Sequence, residues 1–429
     1  MCCTAHIESA SGAALEKIPS SLYKEMERWL QDCCQFRNGA ENGGKMRLAE
    51  YFVVLRHDLA QELFLLGRQL LAQMTEQSAF LPVPDGFLPP QANLSPLEQK
   101  GGAAFFHLDA AVTTEGLRLI ECQAVPTYPV TAAHLSGLLR EACLPESSIF
   151  LGTGTEQPER ADFIRLMREI LVGDSPDGNI LIDRQVREQK TNFEFHATRQ
   201  DINLGIEIID AADLFACNGE LLYKTATGRT KKVQQLYNRV LALEAIFDDN
   251  YPHNVEKWRF RYDQYYEGLR YCNHPARSLT CAKQQLVHVQ HPLNPESVEL
   301  AEAAEDFAKG RLAFADYVWK HKLGAAGREL ILSPSQKILT ALQADQLLDQ
   351  YIAQRKVRFA TFRTDDGQEK IIELRLMFSQ SEQELIAVPM ARIGHFRRTT
   401  GGQPEARIHF GDNNKPGYGF SPVLLLPPD

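Results

Sequence analysis

Residues Phe105 to Pro129 read FFHLDAAVTTEGLRLIECQAVPTYP, and this stretch decides how the rest of the chain is read. Phe105 to Ala110 is an apolar and aromatic run. Glu115-Gly116 is a turn signal, and Leu117 to Ile120 opens a second apolar run. The spacing predicts a β-hairpin. Asp109 lies near the end of the first run, and Glu121 and Gln123 lie on the second. Side chains two apart in a strand share a face. Once paired, the hairpin brings these three oxygen-bearing side chains together beyond one edge of a sheet. Hard oxygen ligands suit Mg²⁺, which takes one or two carboxylates and keeps positions for phosphate and water. Taken alone, the stretch reads first as a solvated hairpin with an acidic rim, so the choice falls to the flanking sequence.

Upstream, residues 14 to 90 read as helical. Ser20-Ser21 is a capping signal for a helix running to about Cys34, and Arg47 to Gln77 carries apolar residues at helical spacing. Pro82, Pro84, Pro89 and Pro90 mark a linker. Downstream, Val130 to Glu141 is a predicted helix and Ser148 to Leu151 a short strand. Asn179 to Asp183, Gly205 to Ile209, Gly219 to Lys224 and Val233 to Val240 are strand-like, with a helix at Thr191 to Ile202. This alternation predicts a small parallel sheet with a ligand site at its strand ends. Trp258 to Tyr271 interleaves basic and aromatic residues like a nucleic-acid surface, but two acids interrupt it. An amphipathic helix packing its tyrosines is the expectation. Helical patterns follow at Pro275 to Val289 and Pro295 to Lys309. In the last third, strands are predicted at Phe314 to His321, Leu330 to Leu332, Asp349 to Phe362, Glu369 to Phe378 and Leu385 to Arg392. A helix falls within Ser333 to Leu348, and loops at Leu323 to Glu329 and Thr399 to Gly402.

The 429 residues exceed one ordinary core and predict two to four subdomains. Hydrophobic residues make up 44% and charged residues 24%, an ordinary globular composition. The net charge of -9 argues against a general nucleic-acid or anionic-membrane surface. No apolar run approaches the roughly 20 residues of a membrane-spanning helix. The first residues have neither the basic start nor the apolar core of a secretory signal. Nine cysteines, without a CxxC pair, suit reduced thiols in the cytoplasm. Cys122, between Glu121 and Gln123, points to the opposite strand face and is expected to pack in the core.

Gly324 and Gly327 let a loop bring backbone N–H groups to phosphate oxygens, or simply turn a hairpin. Lys320, just before that loop, and Lys283 are candidate phosphate contacts. Arg375 sits mid-strand among apolar residues and needs a partner, for which Glu373 and a bound phosphate are the candidates.

Taken in order, these pieces resemble the circularly permuted ATP-grasp family, in particular the synthetase part of glutathionylspermidine synthase, over about residues 100 to 402. The resemblance implies an α/β (α+β) architecture: an ATP-grasp fold with a preceding small parallel-sheet domain and a helical N-terminal module. The implied units are a helical module at 1–95, a metal-ligand hairpin and helix at 96–178, a substrate domain at 179–280 and a nucleotide-binding domain at 281–429. The implied activity is ATP-dependent ligation of a carboxylate to an amine through an acylphosphate, with ATP and Mg²⁺ required. Asp109, Glu121 and Gln123 stand where the family has its metal ligands. Lys283, Lys320, Gly324, Gly327, Gln354 and Lys356 stand at its nucleotide contacts, with Gln354 to Val357 as the adenine hinge. Arg375 matches the arginine that meets the terminal phosphate. Arg239, in LYNR, and His107 are implied substrate or phosphate contacts. Three positions depart from the pattern: His107 replaces an arginine, Gln123 an asparagine and Ala282 an aspartate. The implied partners are a small-molecule carboxylate and amine, a peptide or polyamine among them, with no nucleic acid and no membrane, in the cytoplasm. The competing reading is a non-catalytic ATP-grasp-like protein that binds nucleotide or a partner, and His107 and Gln123 favour it.

Overall fold

Two antiparallel strands, Phe105–Thr113 and Gly116–Gln123, form the expected hairpin, turning at Thr114-Glu115 with Gly116 at φ +100°. That left-handed backbone suits a residue without a Cβ. The computed structural model describes residues 11–35, 47–76, 86–154, 156–241, 259–280, 282–323, 330–398, 404–408 and 418–427. In it the hairpin is one edge of a ten-stranded sheet. From the far edge the order is Ala13–Lys17, Tyr51–Arg56, Gly419–Leu426, Leu385–Arg398, Glu369–Gln380, Phe105–Thr113 and Gly116–Gln123. Along this path every pairing is antiparallel except that of Tyr51–Arg56 with Gly419–Leu426.

The alternation of side chains divides the sheet cleanly. Phe106, Leu108 and Ala110, with Leu374, Leu376 and Phe378, face the helix His57–Glu76 and bury Leu63, Phe64 and Leu70. Phe105, Met377, Val388 and Met390 face the opposite layer. There they meet residues of the helices Ser20–Cys34, Pro129–Cys143, Arg160–Leu171 and Asn192–Asp201. His107, Asp109 and Arg375 lie on this second face.

Several expectations need correction. The first 95 residues are not wholly helical, because two of their segments are strands of the main sheet. Tyr51 to Leu55 are all buried, and a strand covered on both faces is a continuous apolar run that merges with the helix starting at His57. The strand Gly419–Leu426 had no expectation attached to it. Residues 259–271 form no helix. Tyr262, Tyr266 and Tyr271 are nevertheless buried, and Asn93 bonds the Tyr266 and Leu269 carbonyls and accepts from the Tyr266 N–H. Trp258 lies outside the described residues.

The parallel sheet is present, in the order Arg270–Cys272, Gln235–Asn238, Asn179–Asp183, Glu207–Asp210. Glu220–Lys224 instead joins a separate three-stranded antiparallel sheet. A further four-stranded antiparallel sheet holds Ser297–Glu299, Tyr351–Arg355, Tyr317–His321 and Leu330–Ile331. Its strand from Tyr351 stops at Arg355, short of Phe362, because its partners end opposite Gln354 and Arg355. The expected helix from Pro275 to Val289 is two short ones, Arg277–Thr280 and Gln285–His288, with Lys283 between them.

Candidate active site

Cross-strand register assembles the site. Arg375 stands directly opposite Asp109, and Glu373 opposite Arg392. Asp109 is fully buried. Its Oδ1 accepts from Arg375 Nε at 2.7 Å, and its Oδ2 accepts from Arg375 Nη2 at 2.6 Å and from Arg392 Nη2 at 2.7 Å. Arg392 also donates to Glu373. Two acids and two guanidiniums thus balance in a buried bidentate network, the geometry in which arginine is strongest. Burial alone would raise the Asp109 carboxyl, but Arg375 and Arg392 outweigh it and hold it well below the usual range. The Arg375 guanidinium also lies 5.8 Å from the Tyr128 ring centre.

On its other side Asp109 stands opposite Glu121, where a β-bulge shifts the register between Asp109 and Ala110. A bulge leaves one residue unpaired and re-aims it. Here that residue is Ile120, whose carbonyl accepts from Lys320 Nζ at 2.6 Å. Lys320, on the four-stranded sheet, also donates to Gln354 Oε1 at 2.6 Å. Lys283 Nζ lies 3.4 Å from Glu121 Oε2. These contacts join the C-terminal sheet to the hairpin edge. Burial pushes the Lys320 ammonium down to about 8, with Glu121 opposing the shift and Lys283 adding to it. Burial would raise Glu121, but Lys283 leads the charges that hold it below its ordinary value.

His107 shares the face of Asp109 and is buried. Its Nδ1 lies 3.3 Å from the Val125 carbonyl. A carbonyl oxygen only accepts, so this contact places the proton on Nδ1. Nε2 is buried without a hydrogen-bond partner among the described residues. Burial first, then Arg375, push His107 down to about 4, so the ring is neutral at pH 7. Ligand atoms of His107, Asp109 and Glu121 all lie within 4.8 Å of one another, the one such group among the described residues.

The structure therefore brings together Asp109, Glu121, Lys283, Lys320, Gln354, Arg375 and His107. Gln123 pairs opposite His107 and lines a small cleft with Val125, Ala282, Lys322 and Leu323. Arg239 stands apart: it donates to the Thr127 carbonyl and to Thr191 Oγ1 and lies over the Phe195 ring, pinning the segment after the hairpin. Lys356 is exposed beyond the end of its strand. Gly324 and Gly327 lie outside the described residues. For Arg375 the partner is Asp109, not Glu373. Arg392 was missed by sequence reading, although a charge at the end of the apolar run LIAVPMAR was its signal.

No family model matches the chain, and none of the curated proteins matches it. Among solved structures, the chain is similar to a protein provisionally named gamma-glutamylcysteine synthetase from Methylobacillus flagellatus KT. The TM-score is 0.37 at 11% identity, over 82% of this chain and 84% of that one. It is also similar to D-alanyl-alanine synthetase A from Vibrio cholerae, at a TM-score of 0.26 and 9% identity, over 56% of this chain and 90% of that one. Likeness at these TM-scores carries no argument, so the functional reading rests on the residues themselves.

Proposed function

We propose that the chain is an ATP-dependent carboxylate–amine ligase with an ATP-grasp fold. It forms an amide or peptide bond through an acylphosphate and releases ADP and phosphate. The observation that carries this reading is the meeting of an acidic hairpin with four cations drawn from distant elements: Lys283, Lys320, Arg375 and Arg392. Catalysis of phosphoryl transfer is mainly positioning and charge stabilisation, and such an array suits it. Lys320 and Lys283 offset charge on nucleotide phosphates. Asp109 orients the Arg375 guanidinium toward the transferring group. Gln354, whose Nε2 is buried without a hydrogen-bond partner among the described residues, is the residue proposed to hold the base.

The residues present fit Mg²⁺. Glu121 and the Gln123 amide oxygen are hard donors, and Asp109 Oδ1, which accepts one arginine N–H, keeps a second lone pair. Bound there, the ion would supply positive charge to offset that of the phosphates. The substrates are a small carboxylate and an amine, a peptide or polyamine among them.

The test is coupled ADP release with pooled carboxylates and amines. ADP formed only when both substrates are present is the expected result. Nucleotide binding without ADP in any mixture sinks the ligase and leaves a non-catalytic nucleotide-binding protein. The arginines already engaged on Asp109 are the observation that favours that second reading.

A further inference from the structure

We propose that His107 is a metal ligand through Nε2, so that the hairpin site takes a first-row transition dication such as Mn²⁺ in preference to Mg²⁺. The inference deepens the proposed function and rests on its reading of the hairpin as a metal site.

Four observations converge on it. The Val125 carbonyl holds the proton on Nδ1, which leaves a lone pair on Nε2. An outer-shell carbonyl is the usual device that fixes the tautomer of a ligating imidazole. Nε2 is buried and has no hydrogen-bond partner among the described residues, an arrangement that costs stability unless something occupies the position. His107 belongs with Asp109 and Glu121 to a group in which one ligand atom of each residue lies within 4.8 Å of the others. Finally, Asp109 accepts one arginine N–H on Oδ1 and two on Oδ2. Its carboxylate therefore offers a cation only the second lone pair of Oδ1, and Glu121 and His107 become the principal donors. Ligand distances of about 2.0–2.2 Å place two ligands of one ion at most about 4.4 Å apart, so the group draws together on binding.

The chemical consequence follows from ligand type. Mg²⁺ favours an all-oxygen shell, whereas an imidazole nitrogen adds affinity for first-row transition dications, least for Mn²⁺ and more for the later ones. An arginine at this position would repel any dication. A neutral imidazole attracts one and selects among them.

The test uses the full chain titrated with Mn²⁺ alone. Free Mn²⁺ is followed by electron paramagnetic resonance, and bound Mn²⁺ is examined by a pulsed measurement of coupling to nitrogen. The expected result is one bound Mn²⁺ with ¹⁴N coupling, resistant to an equal concentration of Mg²⁺. In His107→Gln the coupling disappears. Mn²⁺ affinity falls by more than the roughly 10–100-fold that loss of an outer-shell partner costs, while Mg²⁺ affinity, read by competition, changes little. His107→Asn serves if circular dichroism shows that His107→Gln does not fold. Bound Mn²⁺ without nitrogen coupling, the same coupling in the variant, or no Mn²⁺ binding overturns the proposal. ADP formation on the same samples separates the two claims. Nitrogen coupling without ADP keeps His107 as ligand and sinks the ligase. ADP without nitrogen coupling does the reverse.

Discussion

At the residue scale, the central fact is that Asp109 is shared between two arginines in a buried setting. Removing one partner of such a pair strands a charge away from water. Arg375→Met is therefore expected to destabilise the fold by about 3–5 kcal/mol, measured by urea unfolding. Adding Asp109→Asn to that variant should cost less than the sum of the two single changes, since the stranded charge is then gone. Lys320 makes a second prediction. Its ammonium is pushed down to about 8 and carries its charge below that pH. As pH rises through about 8 the charge is lost, and with it the attraction for nucleotide phosphates. The kcat/KM for ATP, which reports free-enzyme groups, should fall above that pH. Lys320→Arg, which stays charged, should keep the plateau. The residue types at 109, 121, 123, 283, 320 and 375 were all legible in the sequence. Their partners were not: Asp109 and Arg375 are separated by 266 positions and meet only because two strands lie in register.

At the element scale, period and burial competed. The hairpin was legible because its turn is marked by Glu115-Gly116 and its strands are short. The strand Tyr51–Arg56 was not, because burial on both faces erases the alternation that marks a strand. The helix that follows it carries Gly67, whose side an added Cβ would drive into the Phe378 ring. That ring stacks on Phe64, with centroids 5.6 Å apart, and lies 5.5 Å from Phe106, so it has little room to give way. Alanine would gain about 1 kcal/mol of helix propensity, but overpacking a filled core costs about 1–3 kcal/mol. Gly67→Ala is expected to lower Tm, contrary to propensity alone, and a thermal melt decides it. The bulge at Ile120 is a device of the same scale: one unpaired residue turns a ladder carbonyl into an acceptor for a lysine 200 positions away.

At the scale of the whole molecule, the two ends of the chain share one sheet. Gly419–Leu426 lies between Tyr51–Arg56 and Leu385–Arg398, with Val423, Leu424 and Leu425 fully buried. Ending the chain at residue 417 would strip both neighbours of a partner and open two apolar layers. The expected outcome is loss of the cooperative thermal transition and rapid proteolysis of the N-terminal strands. A truncated chain that melts like the full one would refute this account. The pairing also joins the N-terminal segment to the sheet that carries the site, which a reading of that segment as a separate helical module did not anticipate. The sequence by itself determined the hairpin, the small parallel sheet and the identity of most charged groups at the site, because these depend on local spacing and on residue chemistry. Only the tertiary structure decided which cation neutralises which acid, that Arg392 belongs to the network, and that His107 is gathered with Asp109 and Glu121. Those outcomes depend on the register of strands far apart in the chain and on the removal of water between them, and neither is written in any local stretch.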